Sequence, residues 1–256
     1  MKALLKNIFM MGLFLLILCS YSFAVDKTIS DDEKDAMEII AEVDKIIAMI
    51  DIKSEQMMTI YRKDGSTRQY RLNIMTGGGD KAFVQIIEPA REQGIQMLRF
   101  GEMVWRYLPN MKKLIRISGR QSFMGSDVKD IDILRLNLTE DYISIIVEDS
   151  HDTYILELQG KNSSLLYAKS KLWVKKKDFQ PIKQEYFSYS GKLVKTVFYR
   201  DYRDFEGVKR PAILEIQSAS FPERKTTLEL ISYRKGVKNR ANIFHRYNLG
   251  RIVPKI

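Results

Sequence analysis

The chain has 256 residues, with 42 Lys and Arg against 32 Asp and Glu and a formal charge of +10 at pH 7. One cysteine and two histidines exclude a disulfide framework and leave a thiolate or multi-histidine zinc site short of ligands. The positive balance favours anionic partners.

Met1 to Lys6 holds two lysines and no acid, an apolar run extends from Ile8 to Leu18, and Ser22-Phe23-Ala24 follows. A short basic region, a short apolar region and a small-x-small site form a secretory signal, too short to be a stable membrane span. Cys19 closes the apolar run and offers lipid attachment as an alternative, although Leu18 stands where a small residue is wanted. An uncleaved anchor is the third option. Cleavage after Ala24 divides the sequence into a leader, residues 1–24, and one domain, residues 25–256. That domain lacks cysteine and keeps +8 once Lys2 and Lys6 are gone. About 230 residues suffice for one hydrophobic core without staples. For an exported chain the anions at hand are phospholipid headgroups and lipopolysaccharide, and not nucleic acid.

Ser30-Asp31-Asp32-Glu33 is a capping box. It opens a predicted amphipathic helix, Ala36–Ile50, with Met37, Ile40, Val43 and Ile47 on a broad apolar arc. Near Asp51 the period changes to two. Strands are predicted at Gln56–Arg62, Thr67–Thr76, Ala82–Ile87, Ile95–Phe100 and Met103–Leu108, with Asp64-Gly65 as a hairpin turn. Trp105 to Ile117 reads as two strands about Pro109-Asn110. After an irregular segment from Ser118 to about Glu140, with a short helical piece at Asp130–Leu136, strands resume. They are Tyr142–Glu148, Thr153–Gln159, Ala168–Lys176, Ile182–Tyr189, Leu193–Tyr199, Val208–Gln217 and Thr226–Arg234.

Consecutive strands with short turns and one helix predict a mainly β fold, a strongly curved antiparallel sheet or unclosed barrel. Tyr154, Leu156 and Leu158 share one face, and Leu193–Tyr199 is apolar on both. One helix leaves inward apolar surface uncovered, which suggests a cavity; periodicity cannot separate a cavity from a filled core.

Catalytic patterns are weak. His151-Asp152 suits a turn, and His245 is far away in sequence. Asp127, Asp130 and Asp132 miss the spacing of a calcium loop. Gly77–Gly79 leads into a strand and not a helix, so it is no phosphate loop. Lys175–Lys177 beside Trp173 reads as a solvated edge, with an anionic-lipid patch as the alternative. The sequence presents no metal site, no cofactor site and no active site.

"GEMVWRYLPNMKKLIRIS" followed by "SFMGSD" resembles the exported β-rich family of outer-membrane lipoprotein-sorting proteins, related to the LolA and LolB carriers. The shared order is a signal peptide, a helix before the first strands, Trp105-x-Tyr107-x-Pro109 and Phe123-Met124-Gly125-Ser126-Asp127. The resemblance implies an unclosed β-barrel covered by helices, whose hollow holds the acyl chains of a lipoprotein or phospholipid. Partners would include an inner-membrane transporter and an outer-membrane acceptor. On that footing Met97, Met103, Trp105, Tyr107 and Leu108 are expected to line the hollow. Phe123 and Met124 are expected to close over it, and Ile40, Val43 and Ile47 to face it from the covering helix. Plain core packing is the alternative for each. Rival readings are a transmembrane β-barrel, a non-enzymatic scaffold for a protein partner and, last, a hydrolase.

Overall fold

The computed structural model of the chain describes residues 31–134, 137–236 and 241–251. The leader, Cys19 and Ser30 of the capping box lie outside the described residues.

Helix α1, Asp31–Ile47, starts five residues before its predicted position. Ala36, Ile39, Ile40, Val43 and Ile47 are buried on one stripe, as their 3–4 spacing requires. Burying each large aliphatic side chain contributes about 1.5–3 kcal/mol. Asp51 then reverses the chain with a φ of 50°, and its carboxylate accepts a hydrogen bond from Gly78 N at 2.8 Å.

Six strands follow: β1 Ile52–Tyr61, β2 Thr67–Gly77, β3 Lys81–Glu88, β4 Gln96–Phe100, β5 Met103–Leu108 and β6 Lys113–Ile117. The chain then crosses through a 3₁₀ turn at Phe123–Gly125, helix α2 at Asp130–Leu134 and helix α3 at Leu138–Asp141. Seven strands return: β7 Tyr142–Asp149, β8 Thr153–Gly160, β9 Lys169–Lys175, β10 Pro181–Phe187, β11 Leu193–Phe205, β12 Val208–Ser218 and β13 Lys225–Lys235. β11 runs beyond its predicted end because it forms a long hairpin with β12. Glu206 and Gly207, at φ 52° and 79°, supply the two left-handed residues that a tight hairpin needs.

All thirteen strands lie in one antiparallel sheet, ordered β6-β5-β4-β3-β2-β1-β13-β12-β11-β10-β9-β8-β7. The sheet is not closed: β6 and β7 are its free edges, and the described residues 118–134 and 137–141 lie between these two strands in sequence. α1 touches both edge strand β7 and β12, five places away in that order. Only a strongly curved sheet lets one helix do this.

The strands carry apolar clusters on both faces. On the inner face, Met58, Tyr70, Leu72, Val84, Leu156 and Leu172 pack with α1 and Phe123. On the outer face, Met75, Phe83, Leu98 and Trp105 pack under Ile243, Phe244 and Leu249 of the C-terminal segment. That segment consists of two 3₁₀ turns, Ala241–Phe244 and Arg246–Asn248. Among the described residues no helix is long and apolar enough to cross a membrane, which says nothing about strands.

Candidate functional site

The Phe-Met-Gly-Ser-Asp stretch is a folded plug. Phe123 is fully buried in the inner cluster and Met124 packs against it. Met124 and Gly125 adopt φ of 51° and 79°, so the chain reverses at once and Phe123 N donates to Val128 O at 2.8 Å. Ser122 Oγ donates to Ser126 O at 2.5 Å. The loop is pinned to the sheet by Arg224, whose Nη2 donates to Gly125 O at 2.9 Å and stands 3.5 Å from Asp127 Oδ1. Burial raises the Asp127 carboxyl above its usual value, with Arg224 opposing.

Three acids tie the rest of the crossing segment to the fold. Asp130 is fully buried and takes both Oδ contacts from Arg106 Nη2, at 2.8 and 2.9 Å. Burial pushes its carboxyl up to about 6, with Arg106 holding it down. Asp132 Oδ2 accepts from Tyr167 Oη at 3.1 Å and meets Lys195 Nζ at 2.8 Å. Lys195 is itself buried, 4.7 Å from the ring centroids of Tyr167 and Tyr186. Burial pulls its ammonium below the usual value and Asp132 opposes this. Asp44 of α1 accepts from Leu138 N at 3.0 Å and Thr139 N at 2.8 Å. A carboxylate at the start of α3 satisfies donors that a helix leaves unpaired.

Two hollows flank this network. The first, about 100 Å³, lies between the C-terminal end of α1 and β11–β13. Ile46, Ile47, Val197, Leu214, Ile216 and Leu228 supply much of its wall. The second, about 520 Å³, fills the gap between the sheet edges and includes Arg116 and Ile117 of β6, Arg120, Tyr142 of β7 and Leu165. Asp132 and Tyr186 line both, so the apolar cavity and the open gap adjoin across these two side chains.

The predicted lining residues divide between the two faces. Val104 packs in the inner cluster and Arg106 reaches inward to Asp130, so the alternating pleat turns Trp105 and Tyr107 outward. Met103, Trp105 and Tyr107, expected to line a hollow, line neither of these two. Trp105 and Tyr107 belong to the cluster beneath the C-terminal segment, and Met103 is exposed. Leu108 is half-buried at the end of β5 and lines neither hollow. Met97, Phe123, Ile40 and Val43 are buried in the inner core, and Ile47 alone of the expected residues lines the apolar cavity.

The acidic trio does not converge. Asp127, Asp130 and Asp132 each meet a different cation, Arg224, Arg106 and Lys195. Among the described residues no group of three or more His, Cys, Asp or Glu is placed to hold a metal.

Sequence reasoning missed Lys195 and Arg210, although a signal was present. Lys195 is in phase with inward Val197 and Tyr199, and Arg210 with Ala212, Leu214 and Ile216. A cation inside an apolar row of period two must either escape at a strand end or be buried with partners.

The comparisons with known proteins agree with this fold. The solved structure of a LolA superfamily protein from Nitrosomonas europaea is 30% identical, covers 78% of this chain and 93% of its own, and superposes with a TM-score of 0.71. A putative outer membrane lipoprotein-sorting protein domain from Vibrio parahaemolyticus is 23% identical, covering 86% of this chain and all of its own at a TM-score of 0.73. A DUF1329 family protein from Desulfovibrio piger is also 23% identical, with the same coverages and a TM-score of 0.74. The latter two establish likeness of fold. A family model described as "-like: Uncharacterized protein" matches residues 78–251. No curated protein matches the sequence. The chain belongs to the LolA superfamily, and to the family whose model spans residues 78–251.

Proposed function

We propose that this protein is an exported, non-enzymatic carrier that holds acyl chains of a lipoprotein or phospholipid for transfer towards the outer membrane. The observation that carries the reading is the apolar cavity beneath α1, which shares Asp132 and Tyr186 in its wall with the gap between β6 and β7. The leader, with Lys2, Lys6 and Ser22-Phe23-Ala24, supports export. Residues 25–256 would then act as one carrier domain.

Acyl chains in water cost about 0.8 kcal/mol per CH₂, so a carrier must replace that water with apolar wall. The cavity of about 100 Å³ is smaller than one of about 150 Å³ that admits benzene. It offers room for a few methylenes and no more. Loading a full chain requires the cover to move outward, and the cover is α1 with the crossing segment. Ile47, Phe123 and Met124 would be withdrawn to enlarge the hollow. The adaptable thioether of Met124 suits a wall that repacks.

The test is native mass spectrometry of protein expressed with its leader and purified without detergent, followed by solvent extraction. A bound species with acyl chains is expected. Leu214→Trp, which fills the cavity wall, should abolish it, whereas Trp105→Ala on the outer face should leave it unchanged. A mass that stays free of lipid after incubation with membranes would overturn the carrier reading.

One observation favours a second reading, a scaffold for a protein partner such as an inner-membrane transporter. Edge strand β6 exposes Leu114 and Ile115 between Lys112, Lys113 and Arg116. A partner's extended segment can add to such an edge.

A further inference from the structure

Of the charged groups lining the apolar cavity, Asp132 and Lys195 neutralise one another and Arg210 does not share in that pair. Arg210 is only 4% exposed. Nη1 donates to Ala48 O at 3.2 Å and Nη2 to Lys45 O at 3.4 Å, which are carbonyls at the end of α1. Its guanidinium carbon stands 4.3 Å from the Tyr233 ring centroid. Nε has no partner, and among the described residues no carboxylate pairs with the side chain. Two of five N–H donors are thus engaged, both at the long end of hydrogen-bond distance.

Helix-end carbonyls offer a cation partial negative charge, and the tyrosine face adds a cation–π contact. Neither is a counter-ion. A buried guanidinium without one is costly, and burial pulls Arg210 below its usual value with only Tyr233 opposing. The cavity lining therefore combines apolar side chains, one internal ion pair and one uncompensated cation, a net charge of +1. That combination suits an amphiphile with a single anionic head better than a neutral or zwitterionic one.

We propose that Arg210 is the headgroup site of this cavity. It would receive a carboxylate or phosphate at the C-terminal end of α1, with the attached chain lying along Leu214, Ile216 and Val197 towards Lys195. An anion there would accept the free Nε–H and draw the N–H groups from their long contacts with Ala48 and Lys45. Because those contacts tether the helix end, headgroup arrival would also loosen the cover. The proposal rests on the carrier reading and names the class of ligand for it.

The experiment measures calorimetric binding of the full chain, purified without detergent, to four probes below their micelle-forming concentrations. These are laurate, dodecyl phosphate, dodecanol and dodecyltrimethylammonium. We expect at least one anion to bind about tenfold tighter than dodecanol, as a charge-assisted contact predicts, with the quaternary amine weakest. Arg210→Met should equalise anion and alcohol, and Arg210→Lys should keep part of the preference. A stronger response to laurate indicates a fatty carboxylate, and one to dodecyl phosphate indicates a phosphate ester. Equal binding of anions and dodecanol by the wild-type chain would overturn the headgroup site and leave the carrier reading intact. Binding of none of the four would overturn both. Should Arg210→Met fail to fold, the wild-type ranking decides alone.

Discussion

The inner and outer faces of β2–β5 are both apolar, yet they are covered in different ways. Inside, α1 and the crossing segment cover the sheet through a mixture of apolar contacts and buried ion pairs, Arg106–Asp130 and Lys195–Asp132. Outside, the C-terminal segment covers Phe83, Leu98 and Trp105 through close apolar packing. Its seat is tight: a Cβ on Gly250 would come within 2.4 Å of the Tyr107 ring, and Gly250 N donates to Gln96 Oε1 at 2.7 Å. A cover that must move is better held by polar contacts, which water can replace, than by apolar area alone. The outer cover has the character of a fixed clasp and the inner one of a latch.

The contrast breaks most sharply at Arg106. Arg106→Ala leaves the Asp130 charge buried without its partner and should cost about 3–5 kcal/mol, read as a lowered midpoint in denaturant. The pH dependence identifies the cause. Burial raises Asp130 from 3.8 to about 6 in the fold, so between those values the folded chain holds a proton that the unfolded chain has lost. Stability from this group therefore falls as pH rises through that window. The stability advantage of wild type over Asp130→Asn should widen on acidification from pH 6 towards 4. A narrowing advantage would show that Arg106 outweighs burial.

Trp105→Ala tests the outer face. Removing a large buried ring costs about 3 kcal/mol or somewhat more, and the loss should appear in melting temperature with acyl-chain binding unchanged. Reduced binding at unchanged stability would put Trp105 back in the hollow.

Trp105 also shows what the sequence could and could not disclose. On β8 the two-residue period was decisive, because Tyr154, Leu156 and Leu158 alternate with Glu157 and Gln159, and the inner face follows directly. On β5 the row of Val104 and Leu108 is as apolar as the row of Trp105 and Tyr107, so period alone assigns neither inward. The choice is made by Arg106, whose partner Asp130 lies in the crossing segment 24 residues away. The segment that covers the other row lies more than 130 residues downstream and has no strand or helix period to announce it. The curved sheet and α1 were legible because each rests on local pattern. The buried cations Lys195 and Arg210 were visible as breaks in apolar rows, but their partners were not.

Asp44 is the next smaller effect. It joins the two parts of the inner cover, accepting from Leu138 N and Thr139 N, and its removal should cost about 1 kcal/mol as for other helix caps. Hydrogen exchange should show faster opening at residues 138–141 in Asp44→Ala, with β8–β10 unchanged. Uniform acceleration across the sheet would mean that the cover and the core open together.

The smallest effect belongs to the free edge. Leu114 is 41% exposed and faces outward opposite Tyr107 on β5. Leu114→Ser should change stability by no more than about 0.5 kcal/mol, the usual range for a surface substitution. A nearly neutral change in the isolated chain makes this variant useful, because any loss it causes in a complete transfer assay must arise from a contact made by β6 with something else. Unaltered transfer would confine function to the inner cover and the cavity behind it. A several-fold loss at unchanged lipid binding would instead give the edge a docking role, with the cation-rich stretch Lys112 to Arg116 selecting an acidic partner.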